Sequence, residues 1–366
     1  MTSSEVVTQL VQKYTEQELV HFCRESADPL MRRLYSRALE HYEPILDENN
    51  DRFVLFPIKY NEPWSMYKKA EGSFWTAAEI KLSDDLLQWR DASRLDNDTR
   101  YFIKQILAFF AGMDNIINEN LASRFYKEIQ IPEIRAFYGF QLAIEQIHSE
   151  VYSQLIDTYI ELQTEKDFLL NGLKTIPCIK KMADWALKWI DSDSPFSERL
   201  IAFACVEAIM FSGPFCAIYW LKKRNILPGL AMANELIARD EALHAEFACL
   251  VNSLLKYPAN ETVILQIITE AVELEINFIN ESIPCRLIGM NSDTMSQYIK
   301  FIADRLLQQL NCSRYYQVSN PYPWMELISV DSKNNFFERD GTEYSRAGYT
   351  SKGAEKKGEI QVMDDF

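Results

Sequence analysis

Apolar side chains recur every three to four positions over most of the chain, a pattern typical of α-helices with one buried face. No stretch alternates strictly enough to predict strands of a central sheet. Proline, glycine and polar clusters divide the periodic region into helices predicted at residues 63–73, 98–127, 131–161, 165–191, 195–223, 229–256, 260–286 and 292–311. The pattern therefore predicts an all-α fold.

The N-terminal part of the chain differs from this periodic region. Residues 1–50 are more polar and are predicted to form a helical extension, with a break at Asp28–Pro29. Residues 51–60 are rich in aromatic side chains and contain Pro57, which blocks a helix, so we expect an extended segment there. We expect the main helical domain to span residues 51–338.

The last segment, residues 339–366, is rich in Gly, Ser, Lys and Glu and has little to bury, so we expect a flexible tail. It closes on an apolar and acidic cluster, Val362 to Phe366. Polar chain ends often have no role. A tail that closes on an aromatic residue also fits a docking peptide that becomes ordered on a partner.

One apolar run, residues 201–221, is long enough to cross a membrane. It contains Glu207, which would then lie near the middle of the bilayer, where a carboxylate is costly. A helix that is apolar on all faces is also typical of the core of a large helical bundle. Because no second span is present in the sequence, we expect a core helix and no membrane.

Composition narrows the classes of partner and compartment. The net charge of −15 argues against binding to nucleic acid or to an anionic membrane surface. The seven cysteines are odd in number, scattered and without a CxxC pair, which favours reduced thiols. The first residues have no apolar signal core. We therefore expect a cytoplasmic protein.

Two histidines close the same short phrase, Glu145-Gln-Ile-His148 and Glu241-Ala-Leu-His244. Positions i and i+3 of a helix share a face, so each phrase directs a carboxylate and an imidazole towards one point. Paired Glu-x-x-His phrases are typical of carboxylate-bridged dimetal sites in helical bundles. Chance pairing is the alternative, and further ligands are needed to decide against it.

Two single carboxylates complete such a site. Asp114 and Glu207 each lie in a helix that is apolar on most faces, where an unpaired carboxylate is costly and a cation would compensate it. Four carboxylates, two imidazoles and no thiolate favour iron or manganese over zinc. The sequence therefore predicts a dimetal site with the ligands Asp114, Glu145, His148, Glu207, Glu241 and His244.

Each ligand also has an ordinary structural explanation. Asp114 can be a polar residue at a helix bend, and Glu207 can pair with a buried arginine. A single buried histidine such as His148 is more often a hydrogen-bonded core residue than a ligand. The occurrence of all six on four separate predicted helices favours the metal site.

Tyr152 lies four residues after His148 and seven after Glu145, on the same helix face and hence beside the predicted metals. There it is either a core tyrosine bonded to a carboxylate such as Asp114 or an oxidisable phenol. Three apolar residues are predicted to line a dry pocket around its oxygen, although such a stripe is often plain core. They are Phe211, Phe215 and Ile237.

Several long phrases resemble one known family. They are RFVLFPIKY, MYKKAEGSFWTAAEI, GFQLAIEQIHSEVYSQLIDTYI, ADWALKWI, YWLKKR, NELIARDEALH, LIGMN and NNFFE. On these phrases, from about Asp51 to Glu338, the chain resembles the radical-generating small (beta) subunit of class I ribonucleotide reductase, in its eukaryotic and viral form. The resemblance implies a ferritin-like bundle.

The resemblance implies roles for individual residues. Two iron ions per chain are expected, one on Asp114, Glu145 and His148 and the other on the remaining three ligands, with manganese as the alternative metal. Tyr152 matches the tyrosine that carries a stable radical after the iron site reacts with oxygen. A path for the radical is implied through Trp75, Asp240, Arg239 and Tyr344.

The implied activity is the reduction of ribonucleoside diphosphates to deoxyribonucleotides, with the substrate site on a large subunit. The tail ending at Phe366 is expected to dock onto that subunit. The resemblance also implies a dimer, either of two identical chains or with a paralogous small subunit. Two alternatives stay open: a self-contained dimetal oxidase or iron-storage protein, and a paralogue that acts mainly as a scaffold.

The chain departs from the family pattern at a few positions. Lys81 replaces a usual acid, Gly112-Met113 precedes Asp114 where Ala-Ser is common, and Pro214 interrupts the helix of Glu207 where relatives carry Ser. Pro214 is expected to loosen a helix that is already prone to distortion. None of these positions is a predicted ligand.

Overall fold

The computed structural model describes residues 2–48, 52–282, 290–322 and 324–325. Within these ranges the chain forms α-helices and no β-strand, which confirms the predicted all-α class. The helices are α1 (Ser3–Lys13), α2 (Glu16–Glu25), α3 (Pro29–Leu39), α4 (Asn61–Gly72), α5 (Ser83–Arg90), α6 (Asn97–Asn120), α7 (Tyr126–Glu128), α8 (Pro132–Tyr159), α9 (Gln163–Leu170), α10 (Gly172–Thr175), α11 (Pro177–Asp191), α12 (Phe196–Cys205), α13 (Ser212–Lys223), α14 (Pro228–Leu254), α15 (Glu261–Ser282) and α16 (Ser292–Gln309).

Apolar periodicity located the long helices well. Helices α4, α8, α14 and α16 begin and end within two residues of the predicted bounds. The break at Asp28–Pro29 is also present, since Asp28 caps α3 by accepting a hydrogen bond from the Leu30 N–H and Pro29 is the first residue of the helix. The predicted domain limits at residues 51 and 338 lie outside the described residues.

The prediction of a single helix over residues 165–191 is wrong. The chain divides there into α9, α10 and α11. Ile176 is extended, with φ −114° and ψ 111°, and Pro177 then opens α11. Proline cannot supply an N–H to a preceding turn and disfavours a helical residue before it, so a continuous helix is blocked at this point.

The prediction of an uninterrupted helix over residues 195–223 is also wrong. A π-helical turn, Val206–Met210, separates α12 from α13. Pro214 is the third residue of α13, where backbone N–H groups have no intrahelical acceptor and a proline costs little. The distortion expected near Pro214 therefore lies before it, in the turn that carries Glu207.

The bundle buries its most apolar segment at its centre. Helix α6 packs against α8, while α12 packs against both α14 and α15. The segment Phe196–Lys223 is apolar and long enough to cross a membrane, but 94% of its most apolar window is buried inside the fold. Burial among the neighbouring helices accounts for this composition, as the core-helix prediction requires.

The N-terminal extension has a small core of its own. Leu10, Leu19, Ala38 and Leu39 are buried together on α1 to α3. The extension is attached to the bundle by an ion pair between Arg33 Nε and Glu198 Oε2 at 2.9 Å. Its helices therefore cover the outside of the bundle without contributing to the predicted metal site.

Two departures from the family pattern have a packing context. A Cβ on Gly112 would lie 2.6 Å from Cγ and Cδ2 of Leu173, so glycine gives this leucine of α10 room against α6. Lys81 is exposed, and its carbonyl oxygen would lie 2.4 Å from a Cβ on Gly229 at the start of α14. The departure at Gly112 therefore concerns helix packing, while nothing in the structure explains the lysine side chain at position 81.

Candidate metal centre

Four segments of the bundle bring the six predicted ligands together in its interior. Asp114 lies on α6, Glu207 lies in the π-helical turn, and α8 and α14 each supply one Glu-x-x-His phrase. All six side chains are buried, and their donor atoms form two groups that share Glu145. The groups are Asp114, Glu145 and His148, and Glu145, Glu207, Glu241 and His244.

Two of the carboxylates extend across the whole site. Glu145 Oε2 lies 3.3 Å from His148 Nδ1, and Glu145 Oε1 lies 3.0 Å from His244 Nδ1. Glu241 repeats the arrangement, with distances of 3.0 Å to His148 Nδ1 and 2.8 Å to His244 Nδ1. Each of these carboxylates therefore reaches both imidazoles, which is the arrangement that two metal ions with bridging ligands require.

The donor atoms fit a pair of cations. Both oxygens of Asp114 and one oxygen of Glu207 are buried without a hydrogen-bond partner, and the Glu145 oxygens and Glu241 Oε1 face only the imidazole nitrogens. Buried polar atoms are normally satisfied, so a cluster of unsatisfied acceptors indicates a cation. Four ionised carboxylates carry four negative charges, which two divalent ions balance.

The electrostatics of the cluster support the same conclusion. Burial, and next the charge of Glu145, raises the pKa of Asp114 well above its usual range, and burial together with Glu241 does the same for Glu207. Burial opposes the charged form of His244, but Glu241 and Glu145 outweigh it and raise its pKa to about 9. Metal ions would displace the protons that the cluster otherwise holds.

Gln141 is a part of the site that was not predicted from the sequence. Its Nε2 donates a hydrogen bond of 2.9 Å to Glu207 Oε1, and the side chain is buried. Gln141 precedes Glu145 by one helical turn, so its position on the ligand face of α8 was the available signal. The contact holds one oxygen of Glu207 and leaves the other free for a metal.

A hydrogen-bonded path leads away from the second nitrogen of His148. Its Nε2 lies 3.2 Å from Asp240 Oδ2, and the same oxygen accepts a 2.7 Å hydrogen bond from Trp75 Nε1. The rings of Trp75 and His148 are stacked, with centroids 5.9 Å apart. Arg239 donates to Asp240 Oδ1 and to the carbonyl oxygen of Ser73. The structure thus brings three of the four predicted path residues, Trp75, Asp240 and Arg239, next to the predicted ligand His148.

Tyr152 lies in an apolar environment beside the ligands. Its hydroxyl is buried and has no hydrogen-bond partner, so it is not the carboxylate-bonded core tyrosine that was the alternative. Burial, and next Asp114, raises its pKa well above the usual range. Its ring stacks on Phe110 at 4.5 Å, and Phe110 in turn contacts Phe211 and Phe215.

Phe110 is therefore the pocket residue that the sequence analysis missed, since it lies between Tyr152 and the two predicted phenylalanines. Ile237 is buried one turn before Glu241, and its contact with Tyr152 stays a prediction. Tyr344 and the tail that ends at Phe366 lie outside the described residues, so their predicted roles stay predictions.

The chain is similar in sequence to known proteins. The sequence profile of "Ribonucleotide reductase, small chain" matches residues 52–321. The sequence is 55% identical to a ribonucleoside-diphosphate reductase small chain of Arabidopsis thaliana, over 84% of this protein and 92% of the relative. It is 54% identical to the small chain of Variola virus, over 84% and 96% respectively.

A solved structure shows the same architecture. The ribonucleotide reductase Rnr4 homodimer from Saccharomyces cerevisiae superimposes with a TM-score of 0.75 at 36% identity, covering 87% of this chain and 99% of that one. This likeness confirms the ferritin-like helical bundle. On its sequence and its fold, the chain belongs to the family of ribonucleotide reductase small chains.

Proposed function

We propose that this chain is the radical-generating subunit of a ribonucleoside-diphosphate reductase and that Tyr152 stores the oxidising equivalent. The observation that carries the proposal is the continuity of the buried contacts. Glu145 and Glu241 span both imidazoles, and the outer nitrogen of His148 continues to Asp240 and Trp75. An oxidase or storage protein has no need of the contacts that lead from His148 to Asp240 and Trp75.

The proposed metal is iron, held by four carboxylates and two imidazoles without a thiolate. This donor set suits hard, redox-active ions and also admits manganese. When bound, the two ions supply the oxygen-dependent one-electron oxidation of a neighbouring phenol. Asp114, Glu145 and His148 would hold one ion, and Glu207, Glu241 and His244 would hold the other.

Tyr152 is suited to keep a radical once its phenol has lost an electron and a proton. No side chain in the described part of the chain donates a hydrogen bond to its oxygen, and Phe110 covers one face of its ring. Water is kept out because the side chain is only 1% exposed. The surrounding phenylalanines have no exchangeable hydrogen to transfer to the radical.

The path through Trp75 is proposed to carry the oxidising equivalent out of the core. Asp240 accepts a hydrogen bond from the Trp75 N–H and faces His148 with the same oxygen. This oxygen therefore links the indole to the ligand imidazole. The rings of Trp75 and His148 are stacked with centroids 5.9 Å apart, which is close enough for electron transfer between them. Arg239 fixes the second oxygen of Asp240. Beyond Trp75 the path is proposed to continue to Tyr344.

Family membership implies a large-subunit partner and a dimer of small chains, and we propose that the dimer is formed with an identical or a paralogous chain. We also propose a cytoplasmic location. The six cysteines in the described part of the chain are free, which fits a reducing compartment.

Metal loading with radical detection tests the proposal. We expect metal-free protein, titrated anaerobically with ferrous iron, to bind about two ions per chain, and exposure to oxygen to give a tyrosyl radical in the electron paramagnetic resonance spectrum. A parallel titration with manganese decides between the two metals. Binding of well under two ions per chain would indicate the scaffold alternative. Full binding without a radical would indicate an oxidase or storage protein.

Removal of the last nine residues tests the proposed docking tail. We expect the truncated protein to keep its metal content and its radical, because no described ligand lies in the tail, while its affinity for the large subunit falls roughly a hundredfold, about 3 kcal/mol. Reductase activity titrated against the large subunit measures the loss. A full-length chain with Lys356 and Lys357 changed to alanine is the control. Unchanged affinity after truncation would contradict the docking role.

A further inference from the structure

A buried carboxyl outside the ligand set faces the segment that carries Glu207. Glu275 of α15 has no exposed surface, and its Oε1 accepts a 3.2 Å hydrogen bond from the backbone N–H of Gly213. Its second oxygen has no hydrogen-bond partner. Glu275 makes no described ion pair, so its burial is not explained by a neighbouring cation in the part of the chain that the structure covers.

The contact lies at the junction between the π-helical turn and α13. Gly213 is the second residue of α13, so its N–H has no acceptor within the helix and Glu275 supplies one from outside. Pro214, the next residue, has no N–H to offer. A second hydrogen bond, 2.7 Å from Ser212 Oγ to the Ile209 carbonyl oxygen, spans the end of the π turn.

The fit at Gly213 is too close for any side chain. A Cβ there would lie 2.3 Å from Glu275 Oε1 and 2.7 Å from Ile279 Cδ1. Glycine thus allows α15 to approach the first turn of α13 directly. The contact between Glu275 and Gly213 depends on where α13 starts. It would be lost if α13 began one residue earlier or later.

We propose that Glu275 is a positioning residue for Glu207: by holding Gly213 at the start of α13, it fixes where the π turn ends and hence the direction of the Glu207 carboxylate. The proposal rests on the proposed role of Glu207 as a metal ligand. A π turn contains one residue more than an α turn, and each residue rotates a helix by about 100°. A shift of the junction would turn Glu207 away from Gln141 and the metal site.

Two substitutions of Glu275 distinguish a role in positioning Glu207 from a role in filling space. Burial raises the pKa of Glu275 well above its usual range and so favours the neutral acid, with one accepting oxygen and one hydroxyl. Glutamine offers the same pattern of one acceptor and one donor in nearly the same volume. Leucine keeps much of the volume and removes both polar groups.

The test is a cobalt(II) titration of the full-length, metal-free chain and its variants, followed by visible absorption, which reports the ligand geometry at each bound ion. We expect Glu275→Leu to weaken one of the two binding steps roughly tenfold and to alter its absorption bands, as loss of support for a ligand does. We expect Glu275→Gln to stay within about twofold of the unmodified chain.

Asp85→Leu is the matched control. Asp85 is also fully buried, and it accepts hydrogen bonds from the N–H groups of Gly229 and Leu230 at the start of α14. That helix start lies twelve residues, about 18 Å, before Glu241. We expect thermal unfolding to show destabilisation in both leucine variants, but only Glu275→Leu to change cobalt binding.

Two results would overturn the proposal: unchanged cobalt affinities and spectrum in Glu275→Leu, or an equal change in Asp85→Leu. If Glu275→Leu does not fold, Gly213→Ala perturbs the same contact from the other side and is expected to weaken the same binding step. Unchanged binding in that variant overturns the proposal as well. An unmodified chain that binds fewer than two ions contradicts the proposed function itself, and Glu275 then has no ligand to position.

Discussion

Tyr152→Phe is expected to abolish the tyrosyl radical and to lower reductase activity by roughly a thousandfold, about 4 kcal/mol, while two metal ions still bind. The substitution removes only a hydroxyl that has no hydrogen-bond partner, and the stacking on Phe110 is retained. The fold and the ligand set therefore have no reason to change. What is lost is the oxidisable phenol beside Asp114.

Tyr138→Phe provides a closely matched control for this prediction. Tyr138 lies on the same helix, seven residues before Glu145, whereas Tyr152 lies seven residues after it. Its side chain is fully buried, and its hydroxyl also lacks a hydrogen-bond partner. We expect this variant to keep the radical spectrum and activity of the unmodified chain. The assignment of Tyr152 would be wrong if its phenylalanine variant kept the same spectrum after loading with iron and oxygen.

The ligands could be predicted from the sequence because their arrangement is largely local. The i and i+3 spacing of a Glu-x-x-His phrase directs both side chains to one side of a helix whatever surrounds it. Asp114 and Glu207 were recognisable because a single carboxylate in an apolar helix needs compensation. Spacing within one helix does not show which ligands of different helices meet, so the bridging positions of Glu145 and Glu241 required the structure.

The features that escaped prediction depend on contacts between distant segments. Gln141 and Phe110 are ordinary core residues by sequence, and only their neighbours Glu207 and Tyr152 give them a role. The π-helical turn has no local sequence signal either, since apolar periodicity continues through it. The start of the helix that follows it is held by α15, which is distant in sequence.

Helix boundaries were predicted well where a proline marks the start of the helix and poorly where helices are short. Pro132 and Pro228 open α8 and α14, and the predicted starts lie within one residue of them. Helix α5 was missed because its eight residues are too few for a periodic pattern to stand out. The division between α9 and α10 at Asn171 was missed for the same reason.

Asp240→Asn is expected to separate the making of the radical from its use. The carboxylate accepts hydrogen bonds from Trp75 and Arg239 and also faces His148 Nε2. Its negative charge therefore stabilises the protons on the imidazole and indole nitrogens. An amide keeps one accepting oxygen and places an NH₂ donor opposite one of these donors. We expect the radical to form at saturating iron, while nucleotide reduction with the large subunit falls roughly a hundredfold.

Asp304→Asn is the corresponding control, because Asp304 of α16 is also buried and accepts hydrogen bonds from the N–H groups of Tyr315 and Tyr316. It tests whether an uncharged amide at a buried aspartate impairs the protein in general. Radical yield by electron paramagnetic resonance and turnover under saturating large subunit are measured on both variants. If Asp240→Asn loses radical and turnover in the same proportion, Asp240 supports only metal assembly. A selective loss of turnover would place Asp240 on the route by which the oxidising equivalent leaves the core.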